Sequence, residues 1–152
     1  MHIEEKIHAA FTRSGQTLAL AESCTGGAIA AALTRLPGAS QFFLGSMVVY
    51  SPKWKETFLG VSTRNGAVSA EVVEEMVRAL FERTECVWAA AITGIAGPTG
   101  GTPELAVGTM FIAVGKRGEA VSVHRIEAPS PRARAIDFAV QRTLELLLER
   151  VL

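Results

Sequence analysis

Ile3, Ile7 and Phe11 recur at i, i+4 and i+8 among polar residues, which predicts a helix over 3–13 that Gly15 ends. Thr17–Glu22 is a short apolar run bounded by a glycine and a turn, the pattern of a buried strand. Ala28–Leu33 continues as a helix, stopped by Pro37-Gly38. Phe42–Tyr50, aromatic and β-branched, reads as a second strand, and Pro52 opens a short helix ending at Leu59. Ser69 can cap a helix carrying Val72, Val73, Met76, Val77 and Leu80 on one face. Val87–Thr93 is a third strand, followed by a glycine-rich loop, Gly94–Gly101. Ala106–Val114 and Ala120–Glu127 flank Gly115-Lys-Arg-Gly118, a hairpin signal. Ile136, Val140, Leu144, Leu147 and Val151 form the stripe of a final helix. Helices alternating with apolar strands, then a hairpin, predict a three-layer α/β fold with a mixed sheet.

The length of 152 residues fits one domain spanning 1–152. No internal repeat, linker or low-complexity segment divides it. Fifteen basic residues balance fifteen acidic ones, which gives no reason to expect nucleic acid or an anionic membrane as main partner. No apolar run approaches the roughly 20 residues of a membrane span, and the polar amphipathic N-terminus does not resemble a signal peptide. Cys24 and Cys86 lie far apart with no CxxC spacing, so neither a zinc site nor a disulfide framework is expected. A reducing cytoplasm is the expected location.

The acids are unevenly chosen. Asp137 is the only aspartate, and the rest are glutamates. Mg²⁺, Ca²⁺ and two-metal sites draw on several aspartates, so metal-dependent phosphatase or nuclease chemistry is disfavoured. The histidines are His2, His8 and His124, two on the first helix and one on a late strand. A Ser-His-Asp triad would need one of them to meet Asp137 beside a serine.

Three strand-exit segments could carry chemistry instead. Ala21-Glu22-Ser23-Cys24-Thr25-Gly26-Gly27 runs from a strand into a helix through small residues, where free N–H groups suit an oxyanion or phosphate. An N-cap role for Ser23 or Thr25 fits the same pattern. Cys24 is a rival nucleophile, although no histidine lies nearby in sequence to ionise it. Tyr50-Ser51-Pro52-Lys53-Trp54-Lys55 offers two lysines, either of which could serve a serine as base if burial lowered its pKa. Solvated helix-face lysines fit equally. Ile92–Gly101 can wrap a phosphate or ribose with backbone N–H groups, but lacks the P-loop lysine and the dinucleotide spacing. All three converge on one expected cleft at the strand ends.

These segments, together with Lys55, Leu59-Gly60-Val61, Gly66-Ala67-Val68-Ser69 and Thr93-Gly94-Ile95-Ala96-Gly97-Pro98 followed by Gly100-Gly101, resemble the CinA C-terminal-domain family in order and spacing. This is the family of nicotinamide-nucleotide amidohydrolases, and the resemblance covers essentially the whole chain. It implies a stand-alone α/β/α sandwich, likewise expected in homo-oligomeric form. It implies hydrolysis of nicotinamide mononucleotide to nicotinic acid mononucleotide and ammonia, without metal or cofactor. Ser23 takes the place of the family's nucleophile and Lys55 of its base, with Tyr50 and Thr93 as further catalytic positions. Substrate contacts are then expected from Cys24, Thr25, Gly26, Gly27, Gly94, Gly97, Gly100 and Gly101. Arg132 or Arg134, which only partly matches the family's helix-opening arginine pattern, would meet the phosphate. Asn65 replaces the family's histidine, and Leu105-Ala106 replaces Lys-Pro. Loss of that lysine is expected to weaken phosphate binding or shift the substrate. The alternatives are a Ser/Lys amidohydrolase of another amide, and a silent nucleotide- or partner-binding module tied to competence or DNA-damage responses.

Overall fold

The computed structural model describes all residues, Met1–Leu152. The elements in chain order are α1 (Ile3–Ser14), β1 (Leu18–Glu22), α2 (Ala28–Thr34), β2 (Phe43–Val48), α3 (Pro52–Leu59), α4 (Ala70–Arg83), β3 (Trp88–Gly94), β4 (Thr109–Lys116), β5 (Ser122–Glu127) and α5 (Arg132–Val151). A 3-10 turn, Ala39–Gln41, leads into β2. The five strands form one sheet in the order β2-β1-β3-β4-β5. β2, β1 and β3 run parallel, whereas β3, β4 and β5 pair antiparallel. The expected mixed sheet is therefore present, and helices cover both of its faces.

Strand alternation builds two cores. Leu18 and Leu20 of β1, Trp88, Ala90 and Ile92 of β3, and Met110, Ile112 and Val114 of β4 face α1, α2 and α5. Ala19, Ala21, Ala89, Ala91 and Ala113 face the other way, under Val73, Met76, Val77 and Leu80 of α4. Alanines on the sheet make room for the larger side chains of α4, so this layer keeps interior packing density. Both faces of β1 and β3 are covered, which is why these strands read as continuous apolar runs.

Two boundaries differ from expectation. β4 begins at Thr109 rather than Ala106, because the chain first closes a turn at Thr102–Leu105 and then bends at Gly108, whose φ is 96°. Gly115 does not belong to the hairpin tip. It stays in the ladder opposite Ala89, and the turn is made by Arg117 and Gly118 alone.

The topology also places the site. From β1 the chain crosses to β2 through α2, and from β2 it returns past β1 to β3 through α3 and α4. The C-terminal ends of β1 and β3 therefore flank the point where the strand order reverses, where open α/β sheets hold their ligands. Leu20 anchors the middle of β1 at 1% exposure. Leu20→Ala is expected to cost about 2–5 kcal/mol, read as a lower urea midpoint with an unchanged m-value.

Candidate active site

Ser23 follows the last residue of β1. Its N–H donates to Ile92 O on β3 at 3.2 Å, and its carbonyl accepts from Gly26 N–H at 3.0 Å, closing a tight turn. Gly26 and Gly27 take φ values of 60° and 102°, a left-handed pair that few other residues adopt. These two glycines make the turn possible, and neither lines the cleft that opens over Ser23. Neither Ser23 nor Thr25 caps α2. The carboxylate of Glu22 does so instead, accepting from Ile29 N–H at 2.9 Å and Ala30 N–H at 3.2 Å.

Lys55 lies on α3, whose start is set by Ser51, with its hydroxyl accepting from Trp54 N–H, and by Pro52 in the first turn. This phase turns Lys55 inward, to 1% exposure, and leaves Lys53 in solvent. Lys55 Nζ sits 2.8 Å from Ser23 Oγ, 3.1 Å from Val49 O and 3.2 Å from Tyr50 O. Ser23 Oγ itself lies 3.3 Å from Tyr50 O. No carboxylate forms an ion pair with Lys55. Burial therefore lowers its pKa below the usual lysine value of 10.5. Cys24 shows the opposite response, as burial pushes its thiol up to about 12 and keeps it neutral. A neutral thiol is a poor nucleophile, which counts against the rival reading of Cys24.

A cleft of about 230 Å³ opens over this pair. Among its walls are Ser23, Cys24, Tyr50, Lys55, Thr93, Gly94, Gly97, Gly100 and Arg132, which brings together the sequence candidates from all three segments. Pro52, Ala67, Val68, Ile95, Ala96 and Thr99 also line it and were not foreseen as contacts. Thr25, Gly26, Gly27, Gly101 and Arg134 do not reach it. Thr25 turns its hydroxyl to Glu22 at 2.8 Å, and Arg134 lies exposed about half a turn beyond Arg132 on α5. No histidine lines the cleft. His8 is engaged with Leu33 O at 2.9 Å, and His124 pairs within the ladder opposite Ile112.

Donors ring the cleft. Ala96, Gly97, Thr99 and Gly100, which line it, have N–H groups with no hydrogen-bond acceptor elsewhere in the protein. Arg132 bridges the rim, donating to Gly97 O at 2.9 Å and to the Tyr50 hydroxyl at 2.8 Å. Thr93, almost fully buried, donates its hydroxyl to Ala67 O at 2.9 Å and keeps only lone pairs for a ligand. The two sequence departures lie elsewhere. Asn65 sits in an exposed loop, and Leu105 packs half-buried against the α4-side core. Neither Leu105 nor Ala106 lines the cleft.

With this geometry in hand, relatives become informative. The sequence profile of the CinA C-terminal domain matches residues 1–151. This chain belongs to the CinA C-terminal-domain family. A CinA-like protein of Myxococcus xanthus is 43% identical over 144 residues, covering 92% of this chain and 34% of that protein. One from Gloeobacter violaceus is 40% identical over 149 residues, covering 95% of this chain and 35% of that protein. The chain thus spans about a third of the length of the curated relatives it matches. Among solved structures, a competence or damage-inducible protein from Enterobacter asburiae superposes with a TM-score of 0.93 at 30% identity, covering 99% of this chain and 96% of that one. The competence/damage inducible protein CihA from Agrobacterium tumefaciens gives 0.91 at 36% identity, with 97% and 94% covered. No helix is long and apolar enough to cross a membrane.

The buried lysine has a measurable signature. Between its lowered folded value and the usual 10.5, native Lys55 binds fewer protons than the unfolded chain does. Stability contributed by this group therefore rises with pH across that window. Lys55→Met, which keeps the stem and removes the amine, is expected to flatten the rise. Urea unfolding of both proteins from pH 7 to pH 10 checks this, and parallel curves would contradict a depressed Lys55.

Proposed function

We propose that this CinA-family domain is a serine amidohydrolase acting on nicotinamide mononucleotide. The observation that carries the reading is the 2.8 Å approach of Lys55 Nζ to Ser23 Oγ, at the floor of a cleft and away from any carboxylate. A lysine so placed is a base for the serine rather than half of an ion pair.

Neutral Lys55 takes the proton of Ser23 as Oγ bonds to the carboxamide carbon. The N–H of Cys24, adjacent to the nucleophile, receives the developing oxyanion. Lys55 then returns the proton to the amide nitrogen, the C–N bond breaks and ammonia leaves. Water, deprotonated by the same lysine, attacks the acyl ester and releases the carboxylate. Because the Thr93 hydroxyl donates to Ala67 O, this scheme gives Thr93 a positioning part and leaves proton transfer to Lys55.

At about 230 Å³ the cleft is smaller than the roughly 300–1,000 Å³ of pockets that enclose a whole ligand. It suits the carboxamide-bearing ring, with apolar walls at Pro52, Val68 and Ile95. The ribose and phosphate would extend along the free N–H groups of residues 96–100 towards Arg132. A homo-oligomer belongs to the same proposal, supported by the exposed Leu44, Trp54 and Phe58 on β2 and α3.

Ammonia release from nicotinamide mononucleotide tests the reading directly. Wild type is expected to be active, with Ser23→Ala and Lys55→Ala each losing about 10³-fold or more in kcat while remaining folded. Cys24→Ala is expected to keep most of the activity. A folded wild type that releases no ammonia would remove the substrate from the proposal. Full activity in Ser23→Ala would remove the nucleophile.

A further inference from the structure

Glu22 is completely buried and is the one carboxylate in the chain's interior. It lines no part of the cleft. No arginine or lysine pairs with it. A buried carboxylate without a counter-ion needs neutral donors on both oxygens, and four are present. Oε1 accepts from the Thr25 hydroxyl at 2.8 Å and from Ile29 N–H at 2.9 Å. Oε2 accepts from Ala30 N–H at 3.2 Å and from the Ser46 hydroxyl at 2.7 Å.

These donors come from three segments. Thr25 belongs to the nucleophile turn, Ile29 and Ala30 to α2, and Ser46 to β2. The main chain of the same residue adds a fifth hydrogen bond, since Glu22 O accepts from Val49 N–H at 2.9 Å. Val49 and Tyr50 supply the two carbonyls that hold Lys55 Nζ, and Ser23 is covalently next to Glu22. One buried side chain thus fastens the turn that aims the nucleophile to the strand whose exit cradles the base.

We propose that Glu22 is a positioning residue that sets Ser23 against Lys55 without touching substrate. The proposal rests on the reading of Ser23 as nucleophile. Its logic is geometric. Glutamine in the same place has one acceptor oxygen and one NH2 group. The Thr25 and Ser46 hydroxyls can rotate to accept, but the backbone N–H groups of Ile29 and Ala30 cannot. One of them must then face a donor, which shifts α2 and its preceding turn relative to β2. A misplacement of about an ångström at reacting atoms is enough to slow attack about 100-fold.

The test is labelling of Ser23 by an alkyl fluorophosphonate, followed by intact mass. It requires an activated serine but not the proposed substrate. In it the Oγ–P bond forms, P–F breaks, fluoride leaves and Lys55 accepts the proton. Four proteins are compared: wild type, Glu22→Gln, Ser46→Ala and Leu147→Ala. Leu147 is fully buried in the core beneath α1, α2 and α5 and does not line the cleft, so its truncation lowers stability while removing no cleft residue. The expected result is a maximal labelling rate about 100-fold lower in Glu22→Gln. The half-saturating probe concentration should hold, because Glu22 is outside the cleft. Ser46→Ala, which loses one bond to the carboxylate, is expected to slow about tenfold. Leu147→Ala should label like wild type despite a lower Tm. If Glu22→Gln does not fold, Ser46→Ala decides alone. A wild-type rate in the folded variants, or an equal loss in Leu147→Ala, overturns the positioning role and leaves the nucleophile standing. A wild type that resists the probe overturns both.

Discussion

A lysine amine enclosed beside a serine hydroxyl, with no acid to balance it, is the constraint around which this molecule is organised. Such a group is costly to bury charged and inexpensive to bury neutral. The fold meets the remaining demand of the amine with three oxygens, Ser23 Oγ and the carbonyls of Val49 and Tyr50. Two of these are main-chain atoms whose position follows from the exit of β2. The placement of the amine therefore depends on the backbone at the exit of β2, and hence on the sheet.

The sheet supplies that placement through its order. β1 at the centre of the parallel half brings Ser23 to the same edge as the exits of β2 and β3. The alanines of β1, β3 and β4 let α4 lie close on one face, while the larger residues on the other face hold α1, α2 and α5. The three-layer frame fixes the strand ends, and the cleft residues sit on the loops and helix starts that follow them. The antiparallel half contributes differently. The return through Gly108 brackets the glycine-rich loop, since Gly108 N–H donates to Ile95 O at 2.7 Å and Ala128 N–H to Gly108 O at 2.8 Å. α5 then begins where Arg132 can cross to Gly97 and Tyr50.

The positions where the sequence resemblance to the family is weakest fit the same frame. Asn65 and Leu105 stand away from the cleft, one in solvent and one in a satellite of the core. The residues that line the cleft, by contrast, are concentrated in the three segments whose order and spacing resemble the family. Asn65, Leu105 and Ala106 thus stand outside the lining of the cleft that holds Ser23 and Lys55.

Much of this was legible along the chain, and for identifiable reasons. Hydrophobic periodicity is a local property, so α1, α4, α5 and the buried strands β1 and β3 announced themselves, as did the mixed α/β class. The motif segments marked Ser23, Lys55, Thr93 and Arg132 as residues to watch. Other features are relations between distant residues, and no local pattern encodes them. Whether Lys55 or Lys53 turns inward depends on the phase of α3 against β2. Which arginine reaches the rim depends on where α5 starts relative to Gly97. That Gly26 and Gly27 take left-handed backbone in the turn after Ser23 is likewise visible only in the folded chain. Glu22 was the least visible of all. A glutamate ending an apolar strand looks like an exposed boundary residue, and only the folded chain surrounds it with donors from Thr25, α2 and Ser46. The sequence by itself determined which surfaces must be buried, because burial follows side-chain chemistry. Tertiary structure alone decided which polar groups meet inside, because hydrogen-bond partners are chosen by three-dimensional proximity.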